Sequence, residues 1–229
     1  MMMPFWDPTM ILIIPAIILA LYAQHKVRST YEKFSKVRSA TGRTGAEMAK
    51  YLLSANGLSH IEVVPVHGVL SDHYDPGKKK VCLSEHNFSE PSVAAVAVAA
   101  HECGHALQHA RGYVPLNLRS AFVPAAQIGS TAAMPLFFIG MIANIPMLLT
   151  LGIVFFAGAV LFQVVTLPVE FDASSRALRE LEERGLLASG QEVGMAKKVL
   201  DAAALTYVAA AAMALLQLVR LVLIRNSRD

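Results

Sequence analysis

The stretch from Ser89 to Gly112 reads SEPSVAAVAVAAHECGHALQHARG and contains the pattern His101-Glu102-Cys103-Gly104-His105. Its apolar run predicts one continuous helix over 89–112, with Ser89 as cap, Pro91 in the first turn and Gly112 as a left-handed stop. On a helix, positions i and i+4 project from one face, so His101 and His105 can hold a single metal ion. Glu102 lies beside that face, where a carboxylate can take a proton from an attacking water. Zinc suits imidazole donors, and a catalytic zinc site keeps one position open. Two histidines and a glutamate in an otherwise apolar helix would be costly to bury without a metal or partners.

The chain has 229 residues, with a hydrophobic share of 55% and a charged share of 16%. That balance points to a membrane class. A net charge of +3, carried by clustered basic residues, implies no nucleic-acid surface. Two cysteines, Cys82 and Cys103, make no disulfide framework, and Cys103 reads as a packed thiol.

Phe5 to Ala23 is apolar apart from Asp7 and is long enough to span a bilayer. Lys26, Arg28, Lys33, Lys36, Arg38 and Arg43 follow it. A signal peptide would carry its positive charge ahead of the apolar run. By the positive-inside rule the segment after the span is cytoplasmic. These basic residues read either as a surface for anionic lipid or as a solvated flank.

Thr44-Gly45-Ala46-Glu47 reads as a capping box, opening a helix that Gly57 ends. Ile61 to Val69 reads as a strand broken by a turn, Asp75-Pro76-Gly77 as a turn, and Lys80 to Ser84 as the returning strand. That last strand reads equally as an exposed edge able to take an added peptide strand and as a paired strand with no ligand. No charged residue occurs from Ser120 to Val169, and Asn144-Ile145-Pro146 divides the run into two spans, 120–143 and 147–168. Pro124 and Pro135 should kink the first. A charged helical stretch, 170–201, breaks at Gly185, and 202–224 forms a fourth span. Arg225 and Arg228 after it run against the positive-inside trend.

The expected fold is a mainly α integral membrane protein with about four transmembrane helices and a small α+β zincin-like domain holding a short β-hairpin or sheet. Its expected division is 1–24 (first span), 25–119 (a cytoplasm-facing lobe with the 89–112 helix), 120–169 (a transmembrane hairpin), 170–201 (supplying a third ligand) and 202–229 (last span and tail).

A catalytic zinc usually takes three protein ligands. Glu170, Asp172, Glu180, Glu182 and Glu183 are the carboxylates available on the same side of the membrane. Glu170 is preferred because it follows directly on the apolar span. Asp172 is the alternative, as ligand or as a hydrogen-bond acceptor behind one. Glu180, Glu182 and Glu183 alternate with Arg179 and Arg184, as on a solvated face. His109 reads as lining the cleft or capping the helix. His73 and Tyr74, placed in a turn, and Arg176 are open alternatives for stabilising an oxyanion. Arg176 reads equally as an ion-pair partner of a nearby carboxylate.

The segments SDHYDP, VAVAAHECGHALQHA and PVEFDASSRAL resemble the YugP-like neutral zinc metallopeptidases, a bacterial membrane family, and the likeness extends over nearly the whole chain. The resemblance implies a zinc endopeptidase with ligands at His101 and His105, the base at Glu102, one catalytic Zn2+ and a role in membrane-protein quality control. The arrangement is also similar to the HtpX-like membrane proteases, where a hairpin of spans separates the zinc helix from a glutamate ligand. In that group an aspartate four residues after the glutamate orients a ligand histidine; Ser174 stands there in this chain. The expected partners are a protein or peptide substrate and the lipid bilayer, in the cell membrane. Rival readings are an intramembrane metalloprotease, whose Asp-Gly ligand motif is absent, and a non-catalytic scaffold with structural zinc, which would need no Glu102.

Overall fold

The computed structural model describes residues 8–187 and 190–227. Phe5, Asp7 and Arg228 lie outside them. A short 3-10 helix, Pro8–Ile13, leads into α1 (Ile14–Phe34). Then come α2 (Gly45–Ala55), β1 (Glu62–Val66), β2 (His73–Asp75), β3 (Lys80–Ser84), α3 (Glu85–Ser89) and α4 (Val93–Ala110). Three long helices follow: α5 (Val114–Ala143), α6 (Pro146–Glu183) and α7 (Gly190–Asn226). The chain is mainly α with one small mixed sheet. Among the described residues, four helices are long and apolar enough to cross a membrane.

Two compact units emerge. One comprises residues 25–116 and 168–205 and is built around α4. Val93, Ala94, Val96, Ala97, Ala99 and Ala100 are fully or almost fully buried, so this helix is enclosed on most faces. Its alanines let neighbouring backbones come close. Met48, Leu52 and Leu53 of α2, Val81 and Leu83 of β3, Leu181 of α6 and Val199 of α7 complete the core. Removing a side chain such as Leu52 to Ala would cost about 2–5 kcal/mol.

Local signals account for the element ends. Thr44 and Glu47 form the expected capping box: Thr44 Oγ1 accepts from the Glu47 amide at 3.2 Å, and Glu47 accepts from the Thr44 amide at 2.9 Å. Gly57, Gly112 and Gly185 all have positive φ and close helices. After α4, Gly112 N–H bonds the His109 carbonyl and Tyr113 N–H the Gln108 carbonyl, the Schellman pattern. The start of α4 differs from expectation. Pro91 biases the residue before it toward extended backbone, and Glu90 is extended, so the helix begins only after Ser92, whose hydroxyl accepts from the Ala95 amide. Ser89 instead ends α3.

The expected small sheet is present, but Lys80–Ser84 does not return antiparallel to β1. Its order is β1-β3-β2, with β1 parallel and β2 antiparallel to β3. Lys80–Ser84 is therefore the central strand, its two sides already hydrogen-bonded, and is not an exposed edge. His73 and Tyr74 lie in a strand, paired with Cys82 and Val81, rather than in a turn.

The other unit comprises residues 1–24, 117–167 and 206–229. Here α5 and α6 approach closely: a Cβ on Gly129 would lie 2.8 Å from the Phe155 carbonyl oxygen, and one on Gly152 2.8 Å from that of Ala133. Phe137, Leu149 and Leu221 cluster. Ile128, Ile139, Ile142, Met147 and Val154 are exposed. Pro124 and Pro135 sit inside α5 without ending it, and α5 begins at Val114, ahead of the expected Ser120. Pro168 likewise does not end α6, so the apolar stretch and the charged stretch that carries Glu170 share one helix. Charged and apolar parts are continuous in α7 as well.

Candidate metal centre

Turning α4 by one turn brings His101 and His105 together, with ring centroids 4.7 Å apart and planes nearly perpendicular. The third group comes from α6. Glu170 Oε2 lies 3.3 Å from His101 Nε2 and 3.5 Å from His105 Nε2. One donor atom from each of the three residues lies within 4.8 Å of the others. This approach depends on Gly104, where a Cβ would stand 2.5 Å from the Ala173 carbonyl oxygen. A side chain there would push α6 off α4, and Glu170 with it.

The donor set fits zinc. Two ligands about 2.1 Å from one tetrahedral ion stand about 3.4 Å apart. The two nitrogen–oxygen separations, 3.3 and 3.5 Å, have that spacing, and two imidazoles with one carboxylate are a common zinc set.

Each histidine is held from behind. His101 Nδ1 lies 3.1 Å from Ser174 Oγ, and His105 Nδ1 lies 3.0 Å from Gln108 Oε1. Gln108 is fully buried, and its Nε2 donates to the Val169 carbonyl and to Asp172 Oδ2, both at 2.8 Å. Both amide hydrogens are thus committed to oxygens, so the Gln108 oxygen must face His105 and accept from it. The proton of His105 then sits on Nδ1, and Nε2 faces Glu170. Asp172 is fixed in turn by Arg176, which also lies over the Tyr113 ring.

Glu102 is 7% exposed and sits next to the pair in sequence. Burial pushes its carboxyl above the usual range, against the pull of the His101 and His105 charges. Burial pushes the His105 imidazole down, but the hydrogen bond that its charged form donates to Glu170 and the charges of Glu102 and Glu170 outweigh this, and the net direction is up.

The remaining residues named from sequence fall elsewhere. Asp172 is not among the converging donors; it anchors Gln108 and Arg176. Glu180 is engaged by Asn56 and Arg184, and Glu182 and Glu183 are exposed. His109 Nδ1 meets the Tyr74 hydroxyl at 2.9 Å, and His73 is exposed, with Nδ1 2.8 Å from the Ser71 carbonyl. Cys103 is buried, its thiol against the Ala49 carbonyl, and Cys82 is buried too. Gln108 and Gly104 carry no role in the sequence reading. The available signals were the i+3 spacing of Gln108 from His105 and a lone glycine within an alanine-rich helix.

The chain is 48% identical over 219 residues to "Putative membrane protease YugP" of Bacillus subtilis (strain 168), covering 95% of this chain and 97% of that protein. No solved structure matches it. The family model described as "Putative neutral zinc metallopeptidase" matches residues 9–226, a range that takes in both helices bearing the three donors, and the chain belongs to that family.

Proposed function

We propose that this chain is a membrane-bound zinc endopeptidase that hydrolyses peptide bonds of protein or peptide substrates, with one ion held by His101, His105 and Glu170. The observation that carries this reading is the convergence of those three donors at ligand spacing, with Glu102 buried beside them. When bound, zinc supplies a Lewis acid for the scissile carbonyl and lowers the pKa of the attacking water. Glu102 accepts the proton of that water and returns it to the departing amine. Ser174 and Gln108 keep the imidazoles oriented with Nε2 forward. No covalent intermediate is formed.

The four apolar helices anchor the chain in the cell membrane, and the exposed apolar side chains of α5 and α6 support contact with lipid. The basic residues after the first apolar stretch favour a cytoplasmic position for residues 25–116. Membrane proteins are the substrate class that the family's setting favours.

The test is cleavage of unfolded casein by the purified, detergent-solubilised protein, before and after metal removal and after zinc is returned. Activity that is lost on chelation and restored by zinc is expected. Activity that persists in the metal-free protein would overturn the proposal.

A further inference from the structure

We infer that a cleft between α1 and α7 binds the headgroup of an anionic phospholipid. The inference does not depend on the peptidase reading. Lys26, Ser29, Thr30 and Lys33 recur at helical spacing and share one face of α1. Lys198, Asp201, Ala202 and Leu205 of α7, with Phe34, complete the lining of a cavity of about 570 Å³. Sites for small ligands run to about 300–1,000 Å³.

Charge decides what fits. Asp201 is the single acid in the lining, and its carboxylate is drawn to Lys197 at 2.6 Å. Among the described residues, no carboxylate forms an ion pair with Lys26, Lys33 or Lys198. Three ammonium groups without a carboxylate partner line one cavity, Lys33 lying 5.5 Å from the centre of the Phe34 ring, and a phosphodiester would offset their mutual repulsion while accepting hydrogen bonds from them.

Both helices favour a lipid over a soluble anion. In α1 the apolar stretch ends at Ala23, just before Lys26, and in α7 it begins at Ala202, itself part of the lining. Phe34, Ala202 and Leu205 offer an apolar wall to the glycerol and first methylenes, whereas a free phosphate would gain nothing from it. Basic pockets where helices enter a membrane are suited to anionic headgroups.

The experiment titrates the purified full-length protein, in phosphatidylcholine nanodiscs, with fluorescent phosphatidylglycerol. The triple variant Lys26→Gln, Lys33→Gln, Lys198→Gln should bind on the order of 100-fold more weakly, each lysine contributing about 5-fold. The corresponding triple Arg variant should bind like the unmodified protein. So should a control that removes equal charge at Lys50, Lys78 and Lys79. Single variants at Lys33 and Lys198 serve if the triple fails to fold. Equal weakening in the control would overturn the site, as would equal binding of labelled phosphatidylcholine. Displacement by millimolar inorganic phosphate would overturn the lipid assignment in favour of a soluble anion.

Discussion

Gln108 joins the two helices of the candidate metal centre by the two ends of one amide: its oxygen lies 3.0 Å from His105 Nδ1, and its nitrogen donates to Val169 and Asp172 on α6. No hydrogen of that amide is left over. Gln108→Leu should therefore lower zinc affinity about 10–100-fold, the usual cost of losing a group that orients a ligand. Competition against a graded chelator reads this directly. Unchanged affinity would remove Gln108 from the support of His105.

Glu102→Gln should retain zinc and lose casein cleavage, because the amide cannot accept the proton. Metal analysis run beside the cleavage assay separates the two effects. Substantial residual cleavage with zinc bound would take Glu102 out of the mechanism. His101→Ala should instead lose the metal.

Glu170→Ala and Asp172→Ala should differ in rank. The first removes both a donor and a charge from the converging set, so its loss of zinc affinity should exceed about 100-fold. The second loosens Gln108 and Arg176 and should stay within about 10–100-fold. Chelator competition on the two proteins gives the order. Retention of metal in Glu170→Ala beside its loss in Asp172→Ala would exchange their roles.

Gly104→Ala pits helix propensity against space. Alanine favours a helix over glycine by about 1 kcal/mol. Its Cβ would stand 2.5 Å from a backbone oxygen, and overpacking of this kind costs about 1–3 kcal/mol. The backbone of α6 must move, so net destabilisation is expected, with weaker zinc binding in parallel. Thermal unfolding with and without zinc measures both. A more stable variant with unchanged affinity would show that the helices are not held at that distance.

Cysteine labelling from outside intact cells should reach a probe at Asn144 and fail at Lys33 and Gln191. Labelling at Lys33 would reverse the proposed orientation and put the metal centre outside.

The proximity of His101, His105 and Glu170 was legible because two simple rules locate it: the i, i+4 geometry of a helix, and the first carboxylate after an apolar run. Gln108 was not legible, since a glutamine near a helix end looks like an ordinary polar flank until α6 is beside it. The capping box at Thr44 and the glycine stop at Gly112 are local and could be read off directly. The start of α4 turned on Pro91, whose effect on Glu90 favours Ser92 over Ser89 as the cap. Strand order was beyond reach, because the residue types and flanking turns that mark β1 and β3 as strands say nothing of who pairs with whom. The parallel pairing of Glu62–Val66 with Lys80–Ser84, and the role of His73–Asp75 as the antiparallel partner, depend on contacts that no short window contains.

His101 and Glu170 are 69 residues apart in sequence, and α5 with nearly the first two-thirds of α6 lies between them. During synthesis the two histidines therefore emerge long before the carboxylate that completes their set. A nascent chain arrested before Glu170 should hold zinc no better than an isolated histidine pair. Tight capture, and with it any hydrolytic activity, should begin only once the hairpin of α5 and α6 has been made. The order in which the chain is built would then delay metal capture until the last of the three donors has been made.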